Sequence, residues 1–455
     1  MDKVLAYFDN HAEPLLDDLF RLLRQPSISG TGEGIRPCAA LTKELLEDAG
    51  FSARLVETAG HPLVFGTYDE GAPRTLLIYG HYDVMPAGNP DAWKTPPFEP
   101  VVQDRTIFCR GVADNKGQFF AHIAAVKALR AAKGHVGCNL RFVIEGEEEI
   151  GSPHLGAFFE AHRHELAADG AFTADALQHA NGQPFILPGL KGGLTLELTC
   201  PGPRVPCHGA MADIVPNPLW RLLHALGALR SPDGTIQVPG FLEHVRPLSP
   251  RERELLEGAP NPIAEVRNLV GLPRLLPEAE EHFHIARTRP TFNLSYIGDG
   301  DPGVGPRPTL PTEARAFLRI NLVPDQDPED ITGKVRRALD NAGYGDVRVT
   351  VRNATPPSCT DVDHPYIQFV TEVARRAFRR EPLLYPRVIG SGPDHYFTKT
   401  LGLPSVWVPY AGAFSETHAP NENMTLAAIF EGMRNSALLF DGMGRFPEIP
   451  EGTAS

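Results

Sequence analysis

Residues Arg74 to Gly117 read RTLLIYGHYDVMPAGNPDAWKTPPFEPVVQDRTIFCRGVADNKG, and this stretch decides how the chain is organised. The apolar run Leu76-Leu77-Ile78-Tyr79, bounded by polar residues, predicts a buried strand. That strand delivers His81 and Asp83 to its C-terminal end. A loop rich in Pro and Gly follows, and then Asp114 within Gly-Val-Ala-Asp-Asn-Lys-Gly. From Gly117 the spacing of Phe120, Ile123, Val126 and Leu129 predicts a helix with one apolar stripe. Open α/β sheets bind ligands at the carboxyl ends of their strands. An imidazole beside a carboxylate that can bridge is a donor set suited to zinc, manganese or cobalt. Each residue alone also has a plainer reading. A histidine at a strand end can be a satisfied polar group, and Asp114 can cap the helix that follows.

Composition narrows the choices. A chain of 455 residues is too long for one ordinary core, so two or more domains are expected. Hydrophobic residues at 42% and charged residues at 22% describe a globular protein. The formal net charge of -13 supplies no basic face and argues against a nucleic-acid partner. No apolar stretch approaches the ~20 residues that span a bilayer, so no membrane association is expected. The N-terminus sets acids among Leu and Phe at helical spacing and has no signal-peptide pattern. Six scattered cysteines without a Cys-x-x-Cys spacing predict reduced thiols and a cytoplasmic protein.

Outward from the opening stretch, residues 1–25 read as one amphipathic helix and Leu41 to Ala49 as a second, ended by Gly50. The strand Leu140 to Ile144 runs into Glu145-Gly146-Glu147-Glu148-Glu149-Ile150-Gly151-Ser152. Acid runs are usually solvated turns. Here a buried strand precedes the run, and a cation explains it better. Asp175 ends another short apolar run, 170–174. From about residue 191 the pattern becomes strand (193–200), helix (218–231), strand (291–297), strand (313–323), helix (328–342) and strand (346–352). This βαββαβ order is that of a ferredoxin-like unit. Its long excursion, about 232–290, is expected to hold one or two helices. Pro218 after Asn217 and Pro328 after Asp327 mark the two helix starts. From about 360 the α/β character returns, with a helix at Tyr366 to Phe378 and a glycine turn, 390–394, opening another. A strand, 405–409, leads to the loop bearing His418, and Leu426 to Phe440 closes the chain as a helix. Residues Pro450 to Ser455 are expected to fray. The expected organisation is α/β: a catalytic domain in two parts, 1–190 and 357–455, interrupted by an inserted α+β domain, 191–356.

Collected, His81, Asp114, Glu149, Asp175 and His418 each lie at or just past a strand end. Five such residues suit two metals that share one carboxylate and together clamp a reacting oxygen. A closed structural zinc site would use cysteines, and none here has ligand spacing.

The blocks Gly80-His81-Tyr82-Asp83, Arg110 to Gly117, Glu145 to Ser152 and His418-Ala419-Pro420-Asn421-Glu422 resemble the signature blocks of the di-zinc peptidase and deacylase family. That family takes in carnosinase-like dipeptidases, glutamate-releasing carboxypeptidases, aminoacylases and the acetylornithine and succinyl-diaminopimelate deacylases. Four blocks in order make the likeness specific, and it spans nearly the whole chain. The resemblance implies a zinc-peptidase-like catalytic domain whose insert is a lid and dimerisation domain, and hence a homodimer. It implies two divalent ions, Zn2+ with Mn2+ or Co2+ as alternatives. His81 and Asp175 would hold one, Glu149 and His418 the other, with Asp114 bridging. Asp83 would orient His81 through its free ring N–H. Glu148 would be the general base acting through a di-metal-activated water, and Glu145 and Glu147 would be structural or exposed. Val205-Pro206-Cys207-His208-Gly209 resembles the block whose histidine stabilises the oxyanion across the dimer, which makes His208 a catalytic candidate. Where the family commonly has an Arg that meets a substrate carboxylate, this chain has Asn321, with Arg319 nearby.

The phrases Tyr82-Asp83-Val84, Trp93, Pro96-Pro97-Phe98 and Gly240-Phe241, with the long excursion, look carnosinase-like. The expectation is therefore hydrolysis of an amide bond in dipeptides or similar small peptides. An N-acyl-amino-acid deacylase of deacetylase or desuccinylase type is the alternative. A non-catalytic binder would have no need of the intact Glu148, and a di-metal phosphoesterase would need basic residues that the blocks lack.

Overall fold

An apolar run without alternation has to be covered on both faces, and the strand Thr75–His81 is covered in that way. The computed structural model describes residues 1–299, 308–386 and 390–447. They form two compact units. The first comprises Met1–Gly189, Cys359–Pro386 and residues 396–447. Its six-stranded sheet runs in the order Ser52–Val56, Leu63–Tyr68, Asn139–Glu145, Thr75–His81, Gly170–Thr173, Ser405–Trp407. The last four are mutually parallel, so their carboxyl ends lie along one edge. The register sets His81 opposite Glu145 and Tyr79 opposite Thr173.

Alternate residues on these strands feed opposite layers. Tyr79 meets Phe397 and Trp407 on one face, while Phe142 and Phe172 meet His122 on the other. His122 belongs to the helix Lys116–Lys133, which packs on the helix Leu426–Met443 and on the two N-terminal helices. That helix is buried on nearly all sides as far as Leu129, not along one stripe. Ala121, Ala124, Ala125 and Ala128 leave room for neighbours where larger residues would not. Gly134, at φ 79°, ends it in the left-handed conformation. At its start the buried Lys116 ammonium donates to the carbonyls of Leu22 and Gln25, at 3.2 and 2.6 Å, and so caps the helix Ala12–Arg24.

The second unit, Leu190–Ser358 with residues 390–395, holds a four-stranded antiparallel sheet. Its order is Asn293–Gly298, Glu313–Leu322, Gly192–Pro201, Arg348–Thr355, the ferredoxin-like arrangement. On the strand Glu313–Leu322, Ala314, Ala316, Leu318, Ile320 and Leu322 are buried with Leu222, Leu229, Ile331 and Val335 of two helices. Those helices, Pro218–Leu229 and Pro328–Asn341, begin at side-chain caps. Asn217 accepts from the Leu219 N–H, and Asp327 from those of Glu329 and Asp330. Each such cap is worth about 1 kcal/mol.

Several elements differ from expectation. The first 25 residues form two helices, Asp2–Asn10 and Ala12–Arg24, because the chain leaves helical geometry at His11. The second helix is longer, Ile35–Asp48. The excursion holds three helices, Pro250–Glu257, Ile263–Val270 and Pro277–Arg287, each started by Pro at or beside its first position. The glycine turn at 390–394 leads to a single π-helical turn, Tyr396–Thr400, not to an α-helix. Residues 450–455 lie outside the described residues. None of the six cysteines is joined in a disulfide among the described residues, and no helix among them is long and apolar enough to cross a membrane.

Burial pushes the pKa of His122 down to about 3 from an ordinary 6.5. The imidazole is neutral in the fold, with Nδ1 2.8 Å from the Ser436 hydroxyl. In the unfolded chain it takes up a proton below its ordinary pKa, so its contribution to stability is complete above about pH 6.5 and is lost as pH falls towards 3. Urea midpoints measured from pH 7 to pH 4 should therefore fall less steeply for His122→Asn than for the wild type, although the variant starts lower.

Candidate metal centre

His81 and Asp175 sit where strands run out, whereas Asp114, Glu149 and His418 stand on the loops and turns that follow strands. His81 is the buried last residue of its strand. Its Nδ1 donates to the Asp83 main-chain carbonyl at 3.0 Å, which fixes the tautomer and leaves the Nε2 lone pair free. Nε2 is buried and has no hydrogen-bonding partner among the described residues. It faces Asp114 Oδ1 at 3.0 Å and Asp175 Oδ2 at 3.5 Å. On the far side, Asp114 Oδ2 lies 2.9 Å from His418 Nε2, which in turn is 3.1 Å from Glu149 Oε2. The five residues make two groups, His81–Asp114–Asp175 and Asp114–Glu149–His418, each close enough to hold one ion. Asp114 is common to both and turns one oxygen to each.

A lone pair aimed at two carboxylate oxygens sets acceptor against acceptor, so a proton or a cation has to lie between them. With protons alone, burial pulls the His81 pKa down, but Asp114, Asp175 and Asp83 outweigh it and hold it well above its ordinary value. His418 is pushed up to about 10 by its hydrogen bonds to Asp114 and Glu149. Burial pushes Asp175 and Glu149 upward. Two imidazoles and three carboxylates, short of positive charge, fit divalent metal ions.

Glu148 belongs to neither group. It opens the short turn Glu148–Ile150, a 3-10 turn in which successive side chains point about 120° apart. Adjacent glutamates therefore serve different neighbours. Burial, with the charges of Asp175, Asp114 and Glu149 added, holds the Glu148 carboxyl well above its ordinary range against the pull of His81. The Asp83 carboxylate accepts the N–H groups of Glu148 and Glu149, at 3.2 and 3.1 Å. It is 3.4 Å from His81 Nδ1, so the carbonyl of Asp83, not its carboxylate, makes the closer contact with the ring. Glu145 and Glu147 are both buried, which excludes an exposed role for either. Glu145 accepts from the hydroxyls of Tyr79 and Ser152, and burial pushes its carboxyl up to about 8. Glu147 accepts the His61 N–H and contacts His154 Nδ1 at 2.8 Å.

Sequence reasoning passed over a set of supports. Glu422 is fully buried and accepts four donors: Arg110 Nη1 at 2.7 Å and the N–H groups of Gly111, Ala113 and Asp114 at 2.9–3.0 Å. Arg110 also donates to the Pro86 carbonyl and lies over the Trp93 ring. Asn115 accepts from the His81 N–H and donates to the Ala174 carbonyl. Gln118 joins Ala113 to Tyr410. The available signal was polar residues inside otherwise apolar blocks. Spacing cannot say which distant backbone they meet. In the second unit His208 is exposed on the short strand Cys207–His208, paired with Thr309–Leu310, and its Nδ1 accepts the Ala210 N–H at 3.2 Å. Asn321 accepts the Thr291 hydroxyl at 2.9 Å, and Arg319 is exposed on the same face of that strand.

Comparison with known proteins places the chain among metal-dependent peptidases. Residues 77–440 match peptidase family M20/M25/M40. A Cys-Gly metallodipeptidase of Schizosaccharomyces pombe is 28% identical over 60% of this chain, and the match spans 59% of that relative's length. The β-Ala-His dipeptidase of Homo sapiens is 27% identical over 80% of this chain and 74% of its own. The crystal structure of an M20 family metallo-carboxypeptidase from Sulfolobus solfataricus superposes with a TM-score of 0.89 at 32% identity, covering 95% of this chain and 99% of that one.

Because Asp114 is common to both groups, Asp114→Asn should remove more bound metal than a change in either group alone. Elemental analysis after dialysis should find well below one ion per chain for Asp114→Asn and about one for His418→Ala. Equal metal content in the two variants would contradict a shared carboxylate.

Proposed function

The chain belongs to peptidase family M20/M25/M40, and from that premise we propose that it is a zinc-dependent dipeptidase that hydrolyses the amide bond of small peptides. One observation carries the reading: Glu148 is a carboxyl beside, yet outside, two ligand groups that share Asp114. His81 and Asp175 would hold one ion and Glu149 and His418 the other, with Asp114 shared. Zinc is assigned on a donor set of imidazoles and carboxylates, with manganese and cobalt able to replace it. Two divalent ions held there would supply polarisation of the attacking water and of the scissile carbonyl. Glu148 takes the water's proton and hands it to the leaving nitrogen. Asp83 positions both partners, since its carbonyl sets the His81 ring and its carboxylate sets the backbone of Glu148 and Glu149.

Dipeptides are the substrate class because the curated relatives are named for Cys-Gly and β-Ala-His cleavage. An N-acyl-amino-acid deacylase is not favoured by those names. The similarity to a metallo-carboxypeptidase along 95% of the chain favours a second reading, removal of single residues from longer peptides. A panel of dipeptides, N-blocked tripeptides and N-acyl amino acids separates the three. Turnover should be highest on dipeptides, whereas a preference for N-blocked tripeptides would select the carboxypeptidase. On the best substrate, Glu148→Gln should keep full metal content and lose turnover by ~10²–10⁴-fold, while Glu149→Gln should lose metal. Swapped phenotypes would exchange the two roles.

We also propose a cytoplasmic homodimer, supported by cysteines that form no disulfide among the described residues and by an exposed apolar surface in the second unit. Val205, Ile214, Trp220 and Leu223 are all exposed on or near the segment that carries His208. In such a dimer His208 serves the partner's site, where an imidazole donor to the developing oxyanion contributes ~3–4 kcal/mol. Mixing inactive His208→Ala with inactive Glu148→Gln should then restore activity, because each hybrid contains one site with an intact Glu148 and an intact His208. No recovery after confirmed subunit exchange would confine His208 to its own chain or to a packing role.

A further inference from the structure

We infer that the two ligand groups are positioned by two separate buried anchors, Asn115 for His81–Asp114–Asp175 and Glu422 for Asp114–Glu149–His418, so that the affinities of the two ions can be altered one at a time. The inference rests on the di-metal reading above. It starts from a difference in footing. His81 ends a central strand, and Asp175 lies two residues beyond the neighbouring strand Gly170–Thr173. His418 stands on a loop, its side chain 54% exposed, in which Glu416, His418 and Asn421 all have positive φ.

Asp114 has to be held correctly relative to both. Towards the sheet, the adjacent Asn115 does this. Its Oδ1 accepts the His81 N–H at 3.4 Å and its Nδ2 donates to the Ala174 carbonyl at 2.7 Å, so one buried amide spans the strand ends that carry His81 and Asp175. Towards the loop, Glu422 does it. The Glu422 backbone belongs to the His418 loop, while its Oε1 takes the N–H groups of Ala113 and Asp114 and its Oε2 takes Gly111 N–H and Arg110 Nη1. With four donors on two oxygens the carboxylate has no freedom to swing. It fixes the distance between the Asp114 backbone and the loop that bears His418. Asn421 adds to this by accepting the Lys94 N–H and donating to the Ala92 carbonyl. Neither Asn115 nor Glu422 offers an atom to a ligand group, so both act through the ligands they orient and are positioning residues.

The test is Co2+ titration of metal-stripped full-length protein, read by calorimetry and by the visible absorption of the bound ion. His418→Ala identifies the step that belongs to the loop group. Glu422→Gln should weaken that step by ~10–100-fold, the usual effect of losing a residue that orients a ligand, and leave the other within about threefold. Asn115→Ala should do the reverse. Arg110→Lys, which keeps the charge but loses the fork, should reproduce the Glu422→Gln pattern more mildly and serves if Glu422→Gln does not fold. His122→Asn, which replaces a ring that packs on Phe142, Phe172, Tyr410 and Phe440 and belongs to neither ligand group, controls for general destabilisation and should lower the melting temperature without moving either step. Equal weakening of both steps by Glu422→Gln, or no weakening in a folded variant, would overturn the inference while leaving the di-metal reading intact. A wild type that takes up no Co2+ would overturn both.

Discussion

The constraint on which this molecule turns is the charge around Asp114. Its two oxygens face two imidazoles, with Asp175, Glu149 and Glu148 close by. Two like charges 4 Å apart repel by about 4 kcal/mol at an effective dielectric of about 20. Several such pairs rival the whole stability of a domain, which is on the order of 5–15 kcal/mol. The cluster therefore exists only with its charge balanced. The raised pKa values of both imidazoles express the same demand that divalent ions satisfy.

Around that cluster the fold spends polar groups where an ordinary core would have apolar ones. Arg110, Asn115, Lys116, Gln118 and Glu422 are all buried, and each bonds backbone from another segment. Removing one partner of a buried ion pair such as Arg110–Glu422 costs about 3–5 kcal/mol, so these residues hold the loops firmly. The His418 loop shows why this is needed. Non-glycine residues at positive φ cost on the order of 1–3 kcal/mol each, and here three occur within six positions. Asp83 shows the opposite economy, since one residue serves His81 with its carbonyl and the Glu148–Glu149 backbone with its carboxylate.

Much of this was legible in the chain. The unbroken run Leu76 to Tyr79 announced a buried strand, and a strand was legible over 313–323, although that it buries a single face emerges only from its packing. Asn217-Pro218 and Asp327-Pro328 fixed two helix starts by local chemistry alone. Where the chain misled, the cause was tertiary. The helix after Asp114 looked one-sided because its large residues make a stripe, yet its alanines are packed against neighbours as closely. For Glu145 and Glu147 the chain left a structural and an exposed role open, and donors from the remote Tyr79 and His61 decide for the structural one.

The sequence by itself determined which residues could bind metal and which blocks they come from, because ligand chemistry and strand ends are local properties. It also determined the βαββαβ order of the second unit, because periodicity and caps are local. Only the tertiary structure decided that Asp114 turns one oxygen to each imidazole, that the Asp83 carbonyl makes the closer contact with His81, and that Glu422 closes the loop of His418 onto the loop of Asp114. The Asp83 contact spans two positions, but those of Asp114 and Glu422 reach across as many as 312. Their geometry is set by sheet order and by the need of every buried donor and acceptor for a partner, a condition that no local pattern encodes.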